Sequence, residues 1–162
     1  MDVESEEYKK HLAETGHKLA KLTISTEAAT SDVFIELFTG QVPNTVEKFL
    51  ENCKKGYVGL SFERVLRGGF VQTGKVEGGE VFPDESFSVP FEGYTVGMSN
   101  EGAHTNSGQF FITLAKAPYL SSKFVAFGKV VAGFDMVDSI GSIECLNERP
   151  VGKCVIDGAS EC

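Results

Sequence analysis

The run Gly97-Met98-Ser99-Asn100-Glu101-Gly102, continuing as Thr105-Asn106-Ser107-Gly108-Gln109-Phe110-Phe111-Ile112, decides how this chain folds. Thr95 to Ser99 and Gln109 to Leu114 are expected to be short strands, with the polar, glycine-bearing residues between them as their connection. Side chains alternate across a strand, so Phe110 and Phe111 are expected to point to opposite faces. One ring then serves a core, and the other is free to line a second surface.

Working outward, the same punctuation recurs. Leu22 and Ile24 alternate with Lys21, Thr23 and Ser25, and a second strand over Val33 to Phe38 follows a polar turn. Asn44 and Glu47 have capping-box spacing at the start of a helix. Its residues Val46, Phe49, Leu50 and Cys53 share one apolar face, and Lys54-Lys55-Gly56 ends it. Short strands are expected at Phe62 to Leu66, Phe70 to Thr73, Phe87 to Val89, Val125 to Val130 and Cys154 to Ile156. A second helix is suggested by Phe134, Met136, Val137 and Ile140. Many short strands and two amphipathic helices indicate a mainly β protein, a barrel whose ends the helices close. Residues 1–18 are polar, with only Tyr8 and Leu12 at helical spacing. They are expected to be a solvated N-terminal extension to a single domain over 19–162.

Composition narrows the function. At 162 residues with 41% hydrophobic content, the chain can bury a sizeable core without disulfides or metal. Thirteen Phe and no Trp point to rings that pack rather than hydrogen-bond. A net charge of −8 argues against nucleic acid and against an anionic membrane surface. Four cysteines lack zinc spacing, and the three histidines do not combine with them as ligands, so neither metal nor cofactor is expected. The acidic N-terminus carries no apolar leader, and free thiols suit a reducing compartment, cytoplasmic or nuclear. Ser99 and His104 do not make a hydrolase, because Gly97-Met98-Ser99-Asn100-Glu101 lacks the second glycine of a nucleophile elbow.

Four segments together resemble the cyclophilin family. Phe62-Glu63-Arg64-Val65-Leu66 with Gly68, Gln72 and Gly74 is similar to F-H-R-[VI]-I-x-G-F-M-x-Q-G-G. The opening run is similar to M-A-N-x-G-x-N-T-N-G-S-Q-F-F-I. Tyr119-Leu120 with Lys123-Phe124-Val125-Ala126-Phe127-Gly128-Lys129-Val130 is similar to W-L-D-G-K-H-V-V-F-G-K-V. Phe38-Thr39 with Val42-Pro43-Asn44-Thr45 and Phe49 is similar to L-F-x-x-x-x-P-x-T-x-x-N-F. The resemblance, which runs from about Leu19 to Ala159, implies a closed eight-stranded antiparallel β-barrel with two capping helices. It also implies a monomer that binds proline-containing peptides and isomerises the Xaa-Pro bond.

Rotation about that bond meets a barrier of about 18–20 kcal/mol, and unassisted exchange takes tens of seconds or more. Reaching milliseconds means removing about 5–6 kcal/mol, with no bond broken and no nucleophile needed. A cation donating to the prolyl nitrogen localises its lone pair, which helps only in the twisted amide. The resemblance gives that role to Arg64, with Gln72 orienting the arginine and the substrate carbonyl. It implies a peptide-holding backbone at Asn100, a polar wall at Gln109, an aromatic floor at Phe111 and an apolar wall at Leu120. The chain departs from the pattern at Gly69, Phe70, Ser99, Tyr119 and Phe124, where the family has phenylalanine, methionine, alanine, tryptophan and histidine. Phe70, Ser99, Tyr119 and Phe124 are expected to line a remodelled pocket, with Phe70 leaning into the space left at Gly69. Tyr119 in place of tryptophan implies weak cyclosporin binding. The alternative to an isomerase is a non-catalytic binding module with the same groove.

Overall fold

The structure, a computed structural model, describes residues 2–162. Helix α1 (Glu6–Thr15) leads into strands β1 (Lys18–Thr26) and β2 (Thr30–Leu37), then helix α2 (Pro43–Lys55). Strands β3 (Phe62–Leu66), β4 (Phe70–Thr73), β5 (Thr95–Met98) and β6 (Phe110–Thr113) follow. A short 3-10 turn (Pro118–Leu120) precedes β7 (Ala126–Ala132), helix α3 (Phe134–Gly141), the small hairpin β8 (Cys145–Leu146) and β9 (Arg149–Pro150), and β10 (Cys154–Glu161). Eight strands form one antiparallel sheet in the order β10-β1-β2-β7-β5-β6-β4-β3. The two outer strands nearly meet: Ser61 bridges Val155, and the Ile156 N–H donates to the Leu60 carbonyl at 2.8 Å. The sheet is therefore an almost closed barrel.

Alternation fills it. Leu22, Ile24, Ile35, Val71, Val96, Phe110, Ile112, Phe127 and Ile156 point inward and are fully buried. The apolar face of α2 closes one region of this core through Val46, Phe49, Leu50 and Cys53, and α3 adds Met136, Val137 and Ile140. Phe49 sits against Tyr57, Phe110 and Phe127 at 5.0–5.4 Å between ring centroids. Phe49, Phe62, Phe82, Phe110 and Phe127, five of the thirteen phenylalanines, are buried in this core.

Three local expectations need correction. The α2 cap is not Asn44 with Glu47. Val42 holds that position without a side-chain bond, Pro43 opens the helix, and the free N–H groups of Asn44 and Thr45 donate to the Glu85 carboxylate at 3.0 and 2.8 Å. A remote acid at a helix N-terminus satisfies the same orphan donors. The expected strand at Phe87 to Val89 is irregular backbone.

The third correction concerns the N-terminal extension, whose Met1 lies outside the described residues. Its last residue, Lys18, begins β1, and α1 docks on the barrel instead of standing in solvent. Tyr8 is buried among Leu19, Val131, Leu12 and Phe34, and its hydroxyl donates to the Glu36 carboxylate at 2.8 Å. Tyr8 and Leu12, the two apolar residues at helical spacing, are the docking face.

Candidate functional site

Strand register builds the site. Arg64, Gln72, Phe111, Gly97 and Ala126 are successive cross-strand partners on β3, β4, β6, β5 and β7, a single row across the sheet. Their sequence neighbours Val65, Val71, Phe110, Val96 and Phe127 face the barrel core, so the row lies on the outer face. The middle of the row carries almost no side chain, and Phe91 fills the hollow. A Cβ on Gly97 would lie 2.6 Å from the Phe91 ring and 2.8 Å from Phe111, so any side chain there would push both rings aside. Phe91 stacks beneath Phe111 with centroids 5.4 Å apart and planes 18° apart.

Phe91, Phe111, Ala117, Leu120 and Ala126 form a second buried cluster, distinct from the barrel core, with Phe70 and Phe124 packed at its edge. Phe70 and Phe124 flank Phe111 at 5.7 and 5.5 Å. The opposed faces expected of Phe110 and Phe111 are therefore present. Phe91 belongs to no motif in the sequence, although Gly97, in the middle of an apolar strand, signals that something approaches its backbone closely.

A bulge aims the arginine. Between Phe62 and Arg64 the register with β4 slips, leaving Glu63 and Arg64 both outside while Phe62 and Val65 stay in the core. Bulges re-aim side chains in this way. Arg64 lies over the Phe70 ring with its guanidinium carbon 5.2 Å from the centroid. Its Nε donates to the Glu148 carboxylate at 2.9 Å, across from β3 on the β8–β9 turn. That turn holds Asn147 and Glu148 at left-handed φ of 51° and 67° and is tied to β3 by the Val65 N–H to the Glu148 carbonyl, 2.7 Å.

These residues enclose a cleft of about 280 Å³. It gathers Arg64, Phe70, Gln72, Ser99, Asn100, Gln109, Phe111, Leu120 and Phe124. Tyr119 is the exception: on the 3-10 turn it is 65% exposed and does not line the cleft. Gln72 also departs from its expected role. Its Oε1 accepts from the Ser99 hydroxyl at 3.0 Å, while Arg64 is held by Glu148 instead. Gln109 Nε2 donates to the Thr73 carbonyl at 2.8 Å, and the Asn100 side chain reaches the Lys123 carbonyl at 2.9 Å. These bonds fix the polar wall. Among the described residues, the Asn100 backbone N–H and carbonyl have no hydrogen-bond partner in the chain, so an extended segment can pair with them.

Lys75 and Glu101, from the loops after β4 and β5, line the same cleft and bond at 2.8 Å. That hydrogen bond holds the lysine's pKa above its usual range and the glutamate's below it. Gly69, expected to leave a hole, does not. A Cβ there would meet Leu66 at 2.9 Å, because Gly69 closes the β3–β4 turn with its N–H on the Leu66 carbonyl at 2.8 Å. A second cleft between α2 and the glycine-rich loop after β4 has charged walls, Lys48, Glu51, Lys55, Glu77 and Glu80, with Phe82 as its one ring.

A barrel with an aromatic cup and an arginine at its rim defines a class, and comparison with known proteins agrees. The family model for cyclophilin type peptidyl-prolyl cis-trans isomerase/CLD matches residues 21–161. The chain belongs to the cyclophilin-type peptidyl-prolyl cis-trans isomerase family. It is 36% identical over 175 residues to the probable inactive peptidyl-prolyl cis-trans isomerase-like 6 of Bos taurus, covering 94% of this chain and 57% of that protein. It is 41% identical over 126 residues to the peptidyl-prolyl cis-trans isomerase cyp15 of Rhizopus delemar, covering 70% of this chain and 20% of that one. It is 34% identical over 140 residues to the peptidyl-prolyl cis-trans isomerase-like 3 of Gallus gallus, covering 79% and 86%. The chain thus spans little more than half the length of the first of these relatives.

Proposed function

We propose that the cleft binds Xaa-Pro segments of peptides and proteins, and that Arg64 accelerates their cis/trans rotation at a rate restrained by Glu148. The observation carrying this reading is the row itself, which sets a cationic side chain beside a ring-lined cup. The proline ring rests on Phe111 between Phe70 and Phe124, and Leu120 closes the apolar wall. The preceding residues pair with the Asn100 backbone. Arg64, directed toward the prolyl nitrogen, stabilises the pyramidal nitrogen of the twisted amide more than the planar ground state. In the free protein that donor is engaged by Glu148, so part of the binding energy goes into releasing it.

A second reading, binding without turnover, is favoured by the same Arg64–Glu148 pair and by the likeness to the Bos taurus protein named as probably inactive. Two measurements separate the readings. Amide shift perturbation by an Ala-Pro peptide maps binding, and an Ala-Ala control should leave the cleft residues unmoved. Exchange spectroscopy on the same peptide with a catalytic amount of protein reads turnover. Binding at the cleft with no added exchange supports the module, and absence of binding contradicts both.

A further inference from the structure

On the barrel face under α1, three side chains from separate elements converge: His11 on α1, His17 in the α1–β1 link, and Glu36 on β2. His11 Nε2 is 3.1 Å and His17 Nδ1 2.7 Å from the same oxygen, Glu36 Oε2. The three donor atoms all lie within 4.8 Å of one another. We infer that His11, His17 and Glu36 form a divalent transition-metal site of the zinc class, which staples the N-terminal helix to the barrel.

Two imidazole nitrogens and one carboxylate oxygen are the donor set of a His₂Glu zinc centre, with a fourth position for water. Ligand atoms on a tetrahedral ion with bonds of about 2.0–2.2 Å sit about 3.3–3.6 Å apart, so small side-chain adjustments suffice. Imidazole donors favour zinc, cobalt, nickel and copper over magnesium or calcium. The other oxygen of Glu36, 3.2 Å from His11 Nε2, also accepts from the Tyr8 hydroxyl at 2.8 Å, an outer contact of the kind that orients a ligating carboxylate. The Glu36 side chain is 2% exposed, and a buried carboxylate demands nearby positive charge, which a dication supplies. His11 is 39% exposed and leaves an entry path for the ion and its water. Sequence spacing concealed the set, because Glu36 is far along the chain from the histidines.

The test is a titration of the full chain with Co²⁺, followed by visible absorption, in a Cys162→Ser background that removes the exposed thiol. Saturable 1:1 binding with tetrahedral d–d bands and no thiolate charge-transfer band is expected. His11→Ala, which leaves Glu36 bonded to Tyr8 and His17 and so should fold, is expected to weaken binding at least tenfold, and Glu36→Gln to abolish it. Amide hydrogen exchange over residues 6–15 should slow when Zn²⁺ is added. No saturable binding, a thiolate band, unchanged affinity in His11→Ala, or unchanged exchange over 6–15 would each overturn the proposal.

Discussion

Arg64 and Glu148 bond at 2.9 Å with both side chains about half exposed, so solvent weakens their attraction. Exposed pairs of this kind are worth about 0.2–1 kcal/mol. Freeing the arginine in Glu148→Gln should therefore raise kcat/KM by about 1.5- to fivefold. Arg64→Ala should lower it by two to three orders of magnitude, about 3–4 kcal/mol, with the folded spectrum intact. Parent-like turnover in Arg64→Ala would show that the arginine is not the cation used. Gly69→Phe tests the space beside Phe70. The new Cβ displaces the Leu66 side chain before any ring can settle beside Phe70, so no gain in peptide affinity is expected. A stable variant with improved affinity would mean that the pocket is open at that point.

At the scale of elements, the site depends on strand register more than on any one side chain. Phe91→Ala removes a fully packed ring from under Phe111 and should cost about 3–5 kcal/mol. Gly97→Ala keeps every ring but forces Phe91 and Phe111 aside. It should leave a folded protein that no longer shifts on adding an Ala-Pro peptide. Phe70→Ala removes both the wall of the cup and the platform under Arg64 and should likewise abolish detectable binding. Unchanged binding in both would place the proline elsewhere.

The elements themselves were legible. β3 and β4 have the expected bounds because Gly68 and Gly69 mark the turn, and α2 shows the expected apolar face because helical spacing encodes it. The bulge at Glu63, the cap from Glu85 and the hold of Glu148 on Arg64 were not. The cap and the arginine's partner join residues 40 and more positions apart, and the bulge is a register slip within one hairpin that leaves no composition signal. Tyr119 was misplaced for a related reason, since motif position cannot say which way a short 3-10 turn presents its side chains.

Over the whole molecule, α1 is part of the fold. Tyr8→Ala empties the contact with Leu19, Phe34 and Val131 and removes one hydrogen-bond donor from Glu36. Urea denaturation should show a loss of about 3–5 kcal/mol, whereas a solvated tail would show none. All four cysteines are free, with Cys53 and Cys154 buried and their thiols pushed up to about 12 and 11, chiefly by burial. Denatured, unreduced protein should titrate four thiols. The central claim joins barrel, cup and arginine in one activity, and exchange spectroscopy on an Ala-Pro peptide tests it most directly when the parent, Arg64→Ala and Glu148→Gln are compared. Measurable added exchange is expected in the parent, more in Glu148→Gln and background in Arg64→Ala. Background exchange in all three, with the peptide still bound at Phe111, would contradict it.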